Sequence, residues 1–144
     1  MRTILFLRIA SVLAIIHAVL HMIGGVLSKP NNGAREIAVI DAMKSQSFNV
    51  MGSMRTYWDF FYGYGWLLGI ALLVEGILFW QLGTIAKTNA RLIRPIAVLF
   101  CLNFLAATVI AFKYFFIAPA ITEILIAASL AGAYFSAGSE TRAA

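Results

Sequence analysis

The sequence predicts an all-α integral membrane protein: a four-helix bundle with one long loop, carrying a short interfacial helix, between its first and second helices. Two observations carry that prediction. Four apolar runs each approach or exceed the roughly 20 residues that cross a hydrocarbon core. The composition is also too apolar for water: 62% of the 144 residues are hydrophobic and 12% charged, with a mean hydropathy of +0.89. Soluble domains carry about 25% charged residues, and a chain this short buries only about two-thirds of its surface on folding. The excess apolar surface therefore faces lipid, and residues 1–144 read as a single transmembrane domain.

The first run spans residues 4–27, from Ile4 to Leu27, and is interrupted by Arg8, His17 and His21. Its apolar length exceeds the 7–15 residues typical of a secretory h-region, and no A-x-A-like site follows it, so it is expected to stay as a helix. The second run covers residues 58–82 and contains Glu75; the third covers 93–117 and the fourth 119–137. Short links join runs two, three and four, which predicts antiparallel neighbours. The tightest link is Ile117-Ala118-Pro119, where proline suits a first helical turn.

The link from Ser28 to Tyr57 is different. It opens on the breaker cluster Lys29-Pro30-Asn31-Asn32-Gly33. From Ala34 to Met51, Ile37, Ile40, Met43 and Met51 alternate with charges, which predicts a short amphipathic helix on the membrane surface.

The net charge of +5 arises from eleven Lys and Arg against six Asp and Glu. These cations are scattered over loops and helix ends and form no phosphate-tracking patch, so nucleic acid is not an expected partner. They read as topology determinants and headgroup contacts. The Lys87, Arg91 and Arg94 cluster, with Arg2 and Arg142, favours cytoplasmic termini in a multi-pass protein of the plasma (inner) membrane, against Lys29, Arg35, Lys44 and Arg55 outside. The single cysteine, Cys101, lies in an apolar run and can form no intrachain disulfide.

Ionisable groups inside the spans invite a functional reading, because a charge at the bilayer centre costs about 2.5–3.5 kcal/mol on insertion scales. With alternating helices, His17, His21, Asp59, Lys113, Tyr114 and Glu123 all fall toward one membrane face, opposite the Lys87–Arg94 loop. On the first helix Ala10, Ala14, His17, His21, Gly24 and Ser28 share a face, whose small and polar residues mark helix contact. On the second, Asp59, Tyr62, Gly63 and Trp66 share a face, and Thr122, Ser129 and Ser136 form a polar stripe on the fourth. Glu75 stands apart, about 24 Å along its helix from Asp59, where it could meet Asn103 or serve a proton relay.

Each of these residues also has a structural explanation. The i, i+4 pair His17 and His21 could hold a metal, but a catalytic zinc takes three protein ligands; hydrogen bonds to a neighbouring helix are the simpler expectation. Asp59 can cap its helix, and Lys113 can snorkel or pair with Asp59 or Glu123.

The stretch Tyr57-Trp58-Asp59-Phe60-Phe61-Tyr62-Gly63-Tyr64-Gly65-Trp66 exceeds an ordinary interfacial aromatic belt, since Gly63 and Gly65 permit close helix approach. Trp58 to Gly65 resembles the W-D-F-[FY]-x-G-[FY]-G motif of a family of small, functionally uncharacterised bacterial four-transmembrane-helix proteins. Tyr114-Phe115-Phe116 before Pro119, and His21 followed by small residues to Gly25, are similar to that family as well. The resemblance implies a four-helix fold and no particular activity.

The expected function is a polar intramembrane site near the outer leaflet that binds, or modifies, a lipid-like or apolar small molecule with a polar head. His17, His21, Asp59, Lys113, Tyr114 and Glu123 would line it, with Tyr62, Tyr64 and Trp66 as aromatic walls. If chemistry occurs there, the catalytic candidates are His21, Asp59 and Glu123 in proton transfer. No P-loop, dinucleotide fingerprint or serine-nucleophile motif is present, and no cofactor is specified. The alternatives are a structural or accessory subunit whose polar layer only locks helices, and a homo-oligomeric transporter or channel.

Overall fold

The computed structural model describes residues 2–140, apart from the side chain of Glu140; Arg142, one of the topology cations, lies outside the described residues. In chain order the elements are α1 (Arg2–His21), continued by a π-helical turn over Met22–Val26, then α2 (Ala34–Ser45), β1 (Ser47–Val50), β2 (Ser53–Thr56), α3 (Tyr57–Ile85), a 3-10 turn (Ala90–Leu92), α4 (Ile93–Tyr114) and α5 (Ile117–Glu140). Four helical spans are long and apolar enough to cross a membrane: Arg2–Val26, Tyr57–Ile85, Ala90–Tyr114 and Ile117–Ser139. The chain is all-α in class and a multi-pass membrane protein.

The chain forms two compact units, one from the described parts of Met1–His17 and Leu72–Ala144, the other from Ala18–Ala71. In the first, close helix approach is made by small residues. A Cβ on Gly76 would stand 2.6 Å from Ile15 Cγ1 and 3.2 Å from the Ser11 carbonyl oxygen, and one on Gly132 would meet the Phe6 ring at 2.8 Å. The Ser11 hydroxyl donates to the Gly76 carbonyl at 2.6 Å, a buried bond that joins α1 to α3. Lipid offers no acceptor, so such a hydroxyl is best satisfied across helices. Phe79 of α3 meets Phe100 edge-on at 5.2 Å and Phe104 at 6.1 Å, which joins α3 to α4. Thr3, Leu7, Ala10, Ser11 and Ala14 of α1 are fully buried, as are Ile126, Leu130, Ala133 and Ala137 of α5.

In the second unit the π-turn alters the expected face of α1. Its defining bond runs from the Leu27 N–H to the Met22 carbonyl at 2.8 Å. A π-turn inserts an extra residue, which rotates every later side chain. Within the first unit Ala10, Ala14 and His17 are buried; in the second His21 is half-buried, and Gly24 and Ser28, beyond the onset of the wide turn, are exposed.

The link after α1 holds less helix than its periodicity predicts. α2 stops at Ser45, and residues 47–56 form a hairpin in register Ser47↔Thr56 to Val50↔Ser53. Met51 (φ 51°) and Gly52 (φ 89°) make the two-residue turn. Positive φ at both positions is the type I′ geometry that suits the strand twist, and the Asn49 side chain accepts the Gly52 N–H at 2.8 Å. A second difference lies after α4: Phe115 and Phe116 make the turn, and Ile117-Ala118-Pro119 opens α5. Proline costs nothing there, because the first-turn N–H groups have no intrahelical acceptor.

Candidate functional site

The residues singled out by the sequence divide between the units. His17, Lys113, Tyr114 and Glu123 belong to the first; His21, Asp59, Tyr62, Tyr64 and Trp66 belong to the second.

In the first unit His17 is buried on α1. Lys113 and Tyr114 end α4, both exposed, with the Lys113 ammonium 5.2 Å from the Tyr114 ring. Glu123 is partly buried on α5; its Oε2 has no hydrogen-bond partner among the described residues, and no ion pair joins it to Lys113. Two hydroxyls of the polar stripe of α5 are bonded within their own helix: Thr122 donates to the Ala118 carbonyl and Ser129 to the Leu125 carbonyl, each at 2.8 Å. Such back-bonding uses the one proton of each hydroxyl and leaves it only as an acceptor. Glu75 is half-buried, and Asn103 is exposed and does not bond to it.

In the second unit two candidates are committed to structure. His21 Nε2 lies 2.8 Å from the Gly65 carbonyl oxygen. A carbonyl can only accept, so this bond requires the proton on Nε2. The contact is allowed by the lack of side chains on α3: a Cβ at Gly65 would stand 2.9 Å from Val26 Cγ2, and one at Gly69 would collide with the Met22 sulfur. A Cβ on Gly63 would meet nothing within 4 Å, so of the two glycines in the aromatic stretch only Gly65 serves close approach. The Gly65-x-x-x-Gly69 spacing is the sequence signal for this contact.

Asp59 closes a capping box. Its Oδ2 accepts the Thr56 N–H at 2.8 Å, and the Thr56 hydroxyl accepts the Asp59 N–H at 3.1 Å. Two orphan donors at the start of α3 are thereby satisfied reciprocally. Tyr62, Tyr64 and Trp66 are all exposed; Tyr62 stacks on Trp58 at 6.0 Å and meets Trp66 edge-on at 6.3 Å.

A concave feature of this unit lies between α2 and the first turns of α3. A cavity of about 590 Å³ has Val39, Ile40 and Met43 of α2 on one wall and Trp58, Phe61 and Tyr62 of α3 on the other, with Gly25 and Val26 between. Ligand sites of small molecules occupy about 300–1,000 Å³ and join apolar walls to a few polar groups. Here those groups are Lys29, Arg35 and Lys44 against one acid, Glu36. The Lys44 ammonium sits 4.6 Å over the Trp58 ring.

The Glu36 carboxylate is already engaged, because one oxygen accepts the N–H groups of Asn31 (2.8 Å) and Asn32 (2.7 Å). These bonds, chiefly that from Asn32, hold its carboxyl below the ordinary value. They also fix the breaker loop against α2, whose N-cap Gly33 has φ 87°. The spare charge of the cavity is therefore positive. Of the expected ligand-binding residues, only Tyr62 lines it. The cations escaped notice as site residues because they lie on a polar link, with no motif to bring them together.

Among the described residues no three His, Cys, Asp or Glu side chains gather as a metal ion requires. No known family model, curated protein or solved structure matches the chain.

Proposed function

We propose that this protein is a four-helix membrane protein that binds an anionic amphiphile in the cavity between α2 and the start of α3. The observation that carries the proposal is the pairing of an apolar, aromatic-walled cavity of about 590 Å³ with three cations and a single carboxylate that is already hydrogen-bonded. An acyl chain or other apolar body would lie against Ile40, Met43, Trp58 and Phe61. A phosphate, sulfate or carboxylate head would meet Lys29, Arg35 and Lys44. Charge-assisted bonds to such a head are about twice as strong as neutral ones.

The membrane is the inner membrane of a bacterium in this reading, with cytoplasmic termini and the cavity toward the outer leaflet. The positive Lys87–Arg94 loop then lies inside. His21 and Asp59 act structurally in it, since His21 Nε2 bonds to the Gly65 carbonyl and Asp59 Oδ2 to the Thr56 N–H. No reacting pair of acid and base stands at the cavity, so the proposal is binding and not turnover.

Fluorescence titration tests it. In a Trp66→Phe, Trp80→Phe background Trp58 is the sole tryptophan, and an anionic single-chain amphiphile, lysophosphatidylglycerol, added to that protein in neutral detergent should change Trp58 emission saturably. Its zwitterionic analogue, lysophosphatidylcholine, should bind about tenfold more weakly, and substitution of Lys29, Arg35 and Lys44 together by Gln should erase the difference. Equal affinity for the two amphiphiles would refute the assigned head.

A further inference from the structure

The cavity uses none of the charge on α1. Arg8 sits six residues into that helix, about 9 Å along it from Arg2, inside the apolar span Arg2–Val26. Its guanidinium is held on α3 by two contacts. The carbon Cζ lies 3.5 Å from the centre of the Trp80 ring, and Nη2 donates to the Thr84 hydroxyl at 3.1 Å. Gly83 makes room, since a Cβ there would stand 3.3 Å from Arg8 Nε. A free side chain would extend toward water, as long cations near helix ends do; this one is laid flat over an indole and fixed.

Its charge is unanswered. Arg8 bonds to no carboxylate among the described residues, and its Nη1 has no acceptor among them. Glu75, on the same helix as Thr84, is nine residues or about 13 Å away along the axis. A guanidinium carries five N–H donors in a fork that matches the oxygens of a phosphate. Thr84 accepts from Arg8 and keeps its own hydroxyl proton free to donate. Both Thr84 and Trp80 are exposed, Trp80 by half of its surface. Arg8 is half-buried and its Nη1 is enclosed, so the site offers the second N–H of Nη2 and the Thr84 O–H, beside an indole open to acyl chains.

We infer that Arg8, Thr84 and Trp80 form a binding site for the phosphate of an anionic phospholipid. The headgroup would lie at Nη2 and the Thr84 hydroxyl, and the first acyl methylenes against Trp80. A lipid fits better than soluble phosphate because the site stands within an apolar span, at the depth where tryptophan marks the interface. This site does not depend on the cavity near α2, and either could fail without the other.

Trp80 itself supplies the local probe. In a Trp58→Phe, Trp66→Phe background it is the sole tryptophan, and the protein is placed in vesicles of zwitterionic phospholipid. Brominated-chain phosphatidylglycerol or brominated-chain phosphatidylcholine is then titrated in. The anionic lipid should quench Trp80 with an apparent association about fivefold stronger, the effect of one basic side chain near the surface. Arg8→Gln should bring the ratio to about one, and Thr84→Val, which keeps the cation, should lower it partway.

Equal quenching by the two lipids while Arg8 is present would overturn the inference, whether or not Arg8→Gln folds. So would an unchanged ratio in Arg8→Gln. Loss of the preference on adding millimolar inorganic phosphate at constant ionic strength would overturn the lipid assignment, leaving a site for free phosphate.

Discussion

Substituting three glycines of α3 by alanine should give three different results, because the space around each differs. At Gly76 the new methyl would stand 2.6 Å from Ile15 Cγ1, and within 3.2–3.3 Å of the Ser11 carbonyl oxygen and the Ile15 amide nitrogen. The side chain can rotate, but two backbone atoms cannot retreat without moving α1. Overpacking of this kind costs about 1–3 kcal/mol. Separating the helices would also stretch the 2.6 Å bond from Ser11 to the Gly76 carbonyl, and interhelical bonds in membranes average about 0.6 kcal/mol. Gly76→Ala should therefore lose about 2 kcal/mol, roughly a thirtyfold fall in the folding equilibrium.

At Gly69 the methyl meets the end of Met22, a flexible side chain that can swing aside, so the loss should stay below about 1 kcal/mol. At Gly63 nothing lies within 4 Å, and alanine should stabilise the helix by about 0.5–1 kcal/mol. Reversible unfolding in mixed micelles, titrated with sodium dodecyl sulfate and followed by helicity, ranks the three. A Gly76→Ala variant as mild as Gly63→Ala would refute the close approach of α1 and α3 at Ser11.

Further outcomes follow from the second unit. His21→Ala should cost about 0.6 kcal/mol and no more than about 1.7, and His21→Gln, which keeps a donor for the Gly65 carbonyl, should recover part of it in the same unfolding assay. Thr56→Ala removes half of the capping box and should cost about 1 kcal/mol, with faster amide exchange confined to the first turn of α3. Met51→Asn should tighten the hairpin turn, because asparagine tolerates positive φ that methionine resists; slower proteolysis of the 46–56 segment measures it. Glu36 has a folded pKa below the ordinary glutamate value of 4.5, so its contribution is fully present above pH 4.5 and disappears as pH falls through the lowered folded value. Protection of the Asn31 and Asn32 amides, taken relative to the intrinsic exchange rate at each pH, should fall on acidification in the native chain and should show no such step in Glu36→Gln.

Much of the helical scaffold was legible because lipid leaves a blunt signature. Apolar length alone marks the spans, and the predicted and observed ends differ by a few residues at most, as where α3 runs on to Ile85 and α4 stops at Tyr114. Burial of Ala10, Ala14 and His17 followed from helical spacing. The spacing failed beyond His21, because a π-turn depends on a local hydrogen-bond shift that no side-chain pattern announces. The hairpin was hidden for a similar reason: Met51-Gly52 lacks the Asn-Gly or Asp-Gly signal that marks such turns, and the run before it keeps helical spacing.

The candidate site was least legible. His21 and Asp59 were visible as out-of-place polar groups, but their partners are a backbone carbonyl and a backbone amide, which every residue carries. Conversely, Lys29, Arg35 and Lys44 look like ordinary loop charges until α2 folds beside Trp58. Arg8 drew notice only as an interruption of an apolar run, and its seat on Trp80 needs two helices to meet.

The central claim is that the cavity beside α2 selects an anionic amphiphile. Native mass spectrometry of the protein, released from membranes in mild neutral detergent, tests it most directly when wild type is compared with Lys29→Gln/Arg35→Gln/Lys44→Gln. With Arg8→Gln in both proteins, to remove the second anionic-lipid site, a co-purifying acidic lipid or lipid-like adduct is expected on the chain that keeps the three cations and is expected to be lost from the triple variant while helicity and unfolding behaviour are retained. The same adducts on both proteins, or only zwitterionic lipid on the chain that keeps the three cations, would contradict it.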